Sequence, residues 1–348
     1  MLALLAAAAL PGCRTAYLAQ LAYEQGRYLS RARPIQQLID EATDPKVRHT
    51  LELVLEVRRF AADHGLDPGK SYLEVADTSA TVPFQVVTAA RFDSLEPYTW
   101  WYPVVGAMPY RGYFDRGQAK SYADGLKEQG LDTFIVEASA YSTLGWFADP
   151  LPSKVIEHGP VAATTTVLHE LLHQNLFVAG QMAFNETLAT AVSYRLAADF
   201  FDGRGDTASA DRVRNARLDW LASSRVLDDG AGALQTLFAK ARKERWPHDR
   251  LVAERESVYR GIQESATSRG TVRAAALDED GWNNASFLAS YRYAEHASLL
   301  DDFLARQRDL PQALDRLRAL TKDGADGYAA ISAHPEATAA LDLGFASR

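Results

Sequence analysis

The chain has 348 residues, of which 47% are apolar and 24% are charged, and its formal net charge is −8 at pH 7. This length and apolar share are sufficient for one large domain or two small ones with a hydrophobic core. The acidic balance, without an obviously basic face, argues against non-specific binding of nucleic acid, so no nucleic-acid partner is expected.

The N-terminal segment is short and apolar. Residues 2–10 are almost purely leucine and alanine, and Pro11-Gly12-Cys13 follows. The apolar run is too short to span a bilayer as a stable helix. The segment Leu10-Pro11-Gly12-Cys13, in which the run ends, resembles the lipobox of bacterial lipoproteins. In such proteins the signal is cleaved before the cysteine, which then carries lipid, although the basic n-region of a secretory signal is missing here.

We therefore expect residues 1–13 to be a lipoprotein-type signal segment with Cys13 as the lipidation site. The protein would then be anchored to a membrane through lipid in the bacterial cell envelope and face the periplasm. An apolar N-terminal helix with an incidental cysteine is the alternative.

The following residues predict helices and then a small sheet. Over residues 15–62 the pattern is helical, with interruptions at Pro34 and Pro45. A helix is also predicted over residues 115–129, ended by Gly130. Three β-rich segments on either side of this helix predict strands of a small sheet, and they are residues 84–90, 99–105 and 133–136.

The second half of the chain predicts helices almost throughout. From about residue 185 onward the helical pattern is interrupted by glycine-containing segments, at residues 203–205, 230–232, 270 and 278–281. We therefore predict an α+β fold that is mainly helical, with its sheet confined to the first half. We also predict one domain over residues 14–348, because no convincing linker interrupts it.

The most informative motif is His169-Glu170-Leu171-Leu172-His173, within an apolar segment that has no proline or glycine over residues 161–178. On a helix, residues at i and i+4 share a face, so both imidazoles can bind one metal ion. Glu170 lies beside them without being a ligand. Glu186, thirteen residues after His173, is expected to be the third ligand, across a turn at Gly180. Three protein ligands and one open position are typical of catalytic zinc.

The alternative for these residues is an ordinary amphipathic helix with two incidental histidines. The segment is apolar enough to be largely buried, and two buried histidines with a buried glutamate need a compensating partner. A metal ion supplies that partner. Two imidazoles and one carboxylate suit Zn²⁺, although cobalt or manganese could occupy the same ligands in vitro. A sheet confined to the part of the chain before the histidine motif also suits a zincin-like architecture, in which the active-site helix packs under a sheet.

Further motifs accompany the histidine pair along most of the chain. They are residues 31–35 (RARPI), 109–115 (PYRGYFD), 140–150 (AYSTLGWFADP), 184–186 (FNE) and 283–285 (NNA). Together with the histidine motif, these segments resemble a family of bacterial proteins described as predicted aminopeptidases, over about residues 13–305. The resemblance implies a gluzincin-like zinc peptidase, with His169, His173 and Glu186 on the metal and Glu170 as the catalyst.

Hydrolysis at such a site needs a general base and a donor to the oxyanion. Glu170 is expected to take a proton from the zinc-activated water and to pass it to the leaving amine. Tyr141 is our first candidate for the oxyanion donor, because its loop is the most elaborate unexplained segment before the metal helix. Other candidates stay open, each with packing as the alternative, and they are Tyr110, Tyr113, Tyr293 and His296.

Two further polar residues have open roles. Asn185 is expected to cap the helix that carries Glu186 or to orient a hydrogen-bonding partner of the metal site. Arg111, which lies beside glycine and aromatic residues, is a candidate for binding a substrate carboxylate, with a structural ion pair as the alternative.

We therefore predict a zinc-dependent peptidase, by resemblance an aminopeptidase, that acts on peptides or on unfolded protein segments. One alternative is an endopeptidase with the same site. Another is a non-catalytic, zinc-containing envelope lipoprotein that binds a partner. Glu170 argues against the latter, because a structural zinc site needs ligands but no carboxylate beside them.

Overall fold

The computed structural model describes residues 12–78, 84–102, 106–138, 148–271 and 281–334. Residues 1–11 and the side chain of Cys13 lie outside this description, so the lipidation of Cys13 stays a prediction. Within the described ranges, no helix combines the length and the apolar character that crossing a membrane would require.

The N-terminal part is helical, as predicted. It contains helices α1 (Gly12–Leu29), α2 (Ile35–Glu41) and α3 (Pro45–Asp63), with strand β1 (Ala32–Pro34) between the first two. Pro34 precedes α2, and Pro45 opens α3, because proline lacks the N–H that a helix interior needs. The side chain of Asp44 accepts a hydrogen bond from the backbone N–H of Lys46 at 2.8 Å and caps α3.

The strands within the described ranges form three small sheets. The strands after β1 are β2 (Glu74–Ala76), β3 (Phe84–Arg91), β4 (Trp100–Tyr102), β5 (Gly106–Met108), β6 (Arg111–Tyr113), β7 (Leu131–Ala138) and β8 (Leu151–Pro152). The sheets have the orders β1-β2-β8, β6-β3-β7 and β4-β5. All pairings are antiparallel except that of β2 with β8. The three predicted strands are present as β3, β4 and β7. The prediction of one sheet is wrong, because strands of two or three residues carry no readable alternation.

The sheet β6-β3-β7 packs against a helix, and a small hydrophobic core lies between them. Helix α4 (Arg116–Lys127) is capped by Asp115, whose carboxylate accepts from the N–H of Gln118 at 2.7 Å, and Gly130 ends this region with a φ of +81°. The predicted helix and its glycine stop are therefore confirmed. Buried alanines and leucines of α4 pack against β3, and the members of this cluster are Val87, Ala89, Tyr113, Ala119, Ala123 and Leu126.

The second half is helical, and a larger core runs through it. Its helices are α5 (Ser153–Glu157), α6 (Pro160–Asn175), α7 (Met182–Gly203), α8 (Thr207–Glu244), α9 (His248–Ser268), α10 (Asn284–Tyr291), α11 (Ala297–Ala305), α12 (Leu310–Leu320) and α13 (Gly327–Ala333). The mainly helical α+β class is thus confirmed. Helix α6, which contains the histidine motif, packs chiefly against α7 and α3. The sheet β6-β3-β7 packs instead against α4 and α10.

One predicted helix break is wrong. Gly230 and Gly232 both lie inside α8, which continues to Glu244. Gly230 is buried, and a Cβ at this position would lie within 3.4 Å of Ile262 of α9 and Phe287 of α10. The glycine therefore serves helix packing, which a local pattern does not reveal. The breaks near residues 203–205 and 270 are confirmed, since α7 ends at Gly203 and α9 ends at Ser268. Residues 272–280 lie outside the described ranges.

Alanine at Gly230 is expected to destabilise the fold, whereas alanine at Gly232 is expected to stabilise it. A Cβ at Gly230 would lie 2.7 Å from Cδ1 and 2.9 Å from Cγ1 of Ile262. Overpacking of about 1–3 kcal/mol then exceeds the gain in helix propensity of about 1 kcal/mol. A Cβ at Gly232 meets no atom within 4 Å, so that variant should gain about 0.5–1 kcal/mol. Denaturant unfolding measures both changes, and equal values would contradict the packing role of Gly230.

Candidate metal centre

The site is built on the turn between α6 and α7. Gly180 takes a φ of +79° there, as the predicted turn requires. Asn185 holds the turn, because its side chain accepts from the N–H of Val178 and donates to the carbonyl of Val178, both at 2.8 Å. Helix α7 begins at Met182, so Asn185 lies in the first turn and does not cap the helix as expected. It acts on the backbone of the turn that sets Glu186 opposite α6.

Three side chains converge between these helices. His169 Nε2 lies 3.2 Å from Glu186 Oε2 and 3.2 Å from His173 Nε2, and His173 Nε2 lies 3.5 Å from Glu186 Oε2. A tetrahedral zinc site with bonds of about 2.0–2.2 Å sets neighbouring ligand atoms about 3.3–3.6 Å apart. The spacing of these three atoms therefore fits one ion, and the group could hold a metal.

Burial and neighbouring charges shift the pKa values of Glu186 and His173 in a way that favours a bound cation. Burial by itself raises the pKa of Glu186, but hydrogen bonds from His169 and His173 outweigh it and hold that pKa well below its usual range. Burial lowers the pKa of His173, yet the neighbouring Glu186 carboxylate outweighs it and raises that pKa. A buried anion between two imidazoles thus attracts a positive charge, which either a proton or a metal ion can supply.

Glu170 lies beside this cluster but does not belong to it. It is buried in the interior of α6. Burial raises the pKa of its carboxyl group, His169 and His173 lower it in part, and the carboxylates of Glu186 and Asp149 raise it further. A carboxylate with a raised pKa is a better proton acceptor than an ordinary glutamate, which is the property that a general base needs.

Two tyrosines reach the same site from distant parts of the chain. Tyr110 lies between β5 and β6, and Tyr293 follows α10. Burial raises the pKa of Tyr110, and the carboxylates of Glu186 and Glu170 raise it further. The Glu186 carboxylate is the largest cause of the raised pKa of Tyr293, whose ring centroid lies 6.4 Å from that of His169. Both hydroxyls are therefore protonated donors close to the ligand cluster. Tyr293 is also 42% exposed, which leaves it accessible to a substrate.

The chain belongs to the family described as "Putative aminopeptidase". This family matches residues 16–328, nearly the whole length. No curated protein and no solved structure matches the chain. Family membership confirms that the chain resembles aminopeptidases and supports peptidase activity in general. The metal and the roles of single residues depend on the geometry above.

The backbone around Tyr293 is held by one face of α8. Trp220 Nε1 donates to the carbonyl of Tyr293 at 2.8 Å, and Ser224 Oγ donates to the carbonyl of Ala294 at 2.6 Å. One turn further, an oxygen of Asp228 accepts from the N–H of His296 at 3.1 Å. These three residues are spaced by four, so they share a face of the helix. We call them the α8 clamp, and they fix the segment that presents Tyr293.

The remaining candidate donors lie in other surroundings. Tyr141 falls within residues 139–147, outside the described ranges, so its role stays a prediction. Tyr113 stands beside Arg111, whose Cζ lies 3.7 Å from the ring centroid of Tyr17. Arg111 thus packs within an aromatic cluster. His296 lies 3.3 Å from Asp228 in an ion pair behind the segment of Tyr293.

Arg292 is a neighbour of the site that the sequence did not reveal. It is only 8% exposed, and its Cζ lies 5.4 Å from the ring centroid of Tyr110. Its Nη2 donates to the carbonyl of Pro109 at 3.5 Å, and its own carbonyl accepts from Thr187 Oγ1 at 3.2 Å. Thr187 directly follows Glu186, so this bond ties Arg292 to the metal helices. A lone arginine between two helices carries no signal by which a sequence pattern would have found it.

Proposed function

We propose that the protein is a zinc-dependent peptidase that acts as an aminopeptidase. The observation that carries this proposal is the spacing of 3.2–3.5 Å among His169 Nε2, His173 Nε2 and Glu186 Oε2. Membership in an aminopeptidase family supports the reaction class. The zincin-like character rests on the histidine motif itself, because α6 has helices as its main neighbours.

In this proposal His169, His173 and Glu186 hold the ion. Zinc, when bound, supplies Lewis acidity toward the scissile carbonyl and lowers the pKa of water. Glu170 accepts the proton of the attacking water and delivers it to the leaving amine, for which its raised pKa suits it. Tyr293 donates a hydrogen bond to the oxyanion that develops on the former carbonyl oxygen. Tyr110, whose pKa the same carboxylates raise, is the second phenol at this site.

The non-catalytic alternative explains Glu170 poorly. A structural zinc site closes its coordination with a fourth protein ligand, usually cysteine or histidine. Within the described residues, the group that could hold a metal has three members. The buried carboxylate of Glu170 beside this group costs free energy of desolvation and adds no ligand. In the catalytic proposal the same carboxylate has a role, because it serves as the general base.

We also propose that the protein is tethered by lipid at Cys13 and faces the periplasm, where its substrates would be peptides or unfolded protein segments. The support is the lipobox-like sequence that ends at Cys13. Metabolic labelling with a fatty acid tests this part separately from the enzymatic part.

The experiment that tests the enzymatic proposal combines metal analysis with a mixed peptide library. The purified protein is expected to carry about one zinc ion and to release N-terminal residues, as read by mass spectrometry of the products. Removal of zinc by a chelator should stop cleavage, and its return should restore it. Internal cleavage would assign an endopeptidase instead. A protein that binds no metal would end the proposal.

Replacing Tyr293 by phenylalanine is expected to lower kcat by about 10²–10³-fold, the usual cost of removing one oxyanion donor. KM and zinc content should change little, because the phenol is neither a ligand nor part of the α8 clamp. Steady-state kinetics on a peptide found in the library measures both constants. Tyr23→Phe, at an exposed tyrosine of α1, is the matched control. A variant with undiminished kcat would transfer the role to another donor, with Tyr110 as the next to test.

A further inference from the structure

Arg292 carries a buried charge that no described side chain neutralises. Arginine is almost never buried without a partner, because an unpaired buried charge is costly. Two other partly buried arginines of this protein have aspartates beside them. Arg255 Nη1 lies 2.6 Å from Asp132 Oδ2, and Arg195 Nε lies 3.1 Å from Asp301 Oδ1. Arg292 is more deeply buried than these, and within the described part of the chain it forms no ion pair with a carboxylate.

The position of Arg292 places this charge at the metal site. Its neighbour in the chain is Tyr293, and the ring of Tyr110 lies below its guanidinium at 5.4 Å. Its positive charge lowers the pKa of both tyrosines, against the effect of the nearby glutamates. The guanidinium therefore lies beside Tyr110 and next in the chain to Tyr293, the residue that a substrate carbonyl must reach.

Arginine has a geometry that suits one class of partner. Its planar guanidinium donates two parallel N–H bonds to the two oxygens of a carboxylate. Among the described residues, its guanidinium forms one weak hydrogen bond, to the carbonyl of Pro109 at 3.5 Å. A peptide substrate can bring a carboxylate either at its C-terminus or on an acidic side chain. Since successive Cα atoms are about 3.8 Å apart, only the first one or two residues after the scissile bond can reach a neighbour of Tyr293.

We propose that Arg292 binds a substrate carboxylate next to the scissile bond, so that the preferred substrates are dipeptides and tripeptides with a free C-terminus. This inference rests on the proposed function, and it names the substrate class of that site. A C-terminal carboxylate is the first choice, because every short peptide has one, and it would limit the length of chain that the site accepts. Arg292 would then determine specificity, while Glu170 and Tyr293 serve the chemistry.

The test compares three substrates that differ in one carboxylate. They are an Ala-Ala dipeptide, the same dipeptide as its C-terminal amide, and an Ala-Glu amide that carries the carboxylate on its side chain. The wild-type protein is expected to prefer the free dipeptide over its amide by about 10–100-fold in kcat/KM, the range for a hydrogen bond to a charged group. In Arg292→Gln this preference should fall to about one, through loss on the free dipeptide alone. Arg292→Lys should retain part of it.

Controls separate specificity from folding and from the chemistry. Arg225→Gln, at an exposed arginine of α8, should leave the preference unchanged. Calorimetric binding of the same three ligands to Glu170→Gln gives the preference without turnover. Equal kcat/KM for the dipeptide and its amide in the wild type overturns the inference. So does an equal loss on both in Arg292→Gln, which would make Arg292 a positioning residue for Tyr293. A preference for the Ala-Glu amide over the free dipeptide would keep Arg292 as a carboxylate site but would overturn its assignment to the C-terminus.

The outcomes also distinguish this inference from the proposed function. Cleavage of peptides and amides without preference leaves a zinc peptidase in which Arg292 has no recognition role. Binding of the free dipeptide over its amide without any cleavage supports the carboxylate site, while it contradicts the peptidase.

Discussion

Glutamine at position 170 is expected to lower the rate of peptide hydrolysis by about 10²–10⁴-fold while zinc stays bound. Glutamine has the shape of glutamate but cannot accept a proton from water. The change also removes a buried carboxyl group whose pKa burial has raised, so the fold should not lose stability. Kinetics with a peptide from the library and metal analysis of the same sample measure the two properties together.

The control for this prediction is Glu52→Gln, at an exposed glutamate of α3. It should match the wild type in zinc content and in rate. A Glu170→Gln variant that hydrolyses peptides at an unchanged rate would exclude Glu170 as the base. Loss of zinc in the same variant would show instead that Glu170 supports the ligands, in which case its effect on rate says nothing about proton transfer.

Alanine at position 186 is expected to remove the metal itself. Hydrogen-bonding partners outside the ligand set already change metal affinity by about 10–100-fold, so loss of an anionic ligand should weaken binding by more than about 10²-fold. Activity should vanish with the zinc. The wild type should also melt at a higher temperature with zinc than without it, because a ligand that binds only the folded state stabilises it, and the variant should lack this shift.

The pKa of His173 should also change in the Glu186→Ala variant. The Glu186 carboxylate holds the pKa of His173 above its ordinary value, against the effect of burial. Without that carboxylate, burial is opposed by Glu170 alone and the pKa of His173 should fall, so the metal-free variant should lose its imidazolium proton at lower pH than the metal-free wild type. Histidine NMR titration measures this shift. Glu256→Ala, at an exposed glutamate of α9, is the control and should leave zinc binding and the titration unchanged. Full zinc content in Glu186→Ala would require another third ligand.

The ligand cluster could be predicted because it is local. Helical periodicity places His169 and His173 on one face, and the thirteen residues up to Glu186 are enough for one turn at Gly180. The mainly helical class followed from the same kind of periodicity. These features depend on residues that are close together in the chain, so a local sequence pattern is enough to predict them.

The rest of the site depends on contacts between distant segments. Arg292 and Tyr293 follow the metal ligands by more than a hundred residues, and the hydrogen bonds of the α8 clamp decide where they lie. No local pattern distinguishes Tyr293 from the other tyrosines of the chain. The continuity of α8 through Gly230 could not be predicted for the same reason, because the residues that pack on this glycine, Ile262 and Phe287, belong to other helices. Asn185 stands next to a ligand in sequence, yet its bonds go to Val178.

The α8 clamp has a consequence for how the family is interpreted. All three ligands come from 18 consecutive residues, whereas the proposed oxyanion donor is held in place by Trp220, Ser224 and Asp228. A chain that lost one of these bonds would keep the three proposed ligands and its histidine motif but would displace Tyr293. On the proposed function, relatives that differ at the clamp would therefore bind metal without hydrolysing peptides. The histidine motif alone would not distinguish such inactive descendants from working enzymes, and the identities at positions 220, 224 and 228 would.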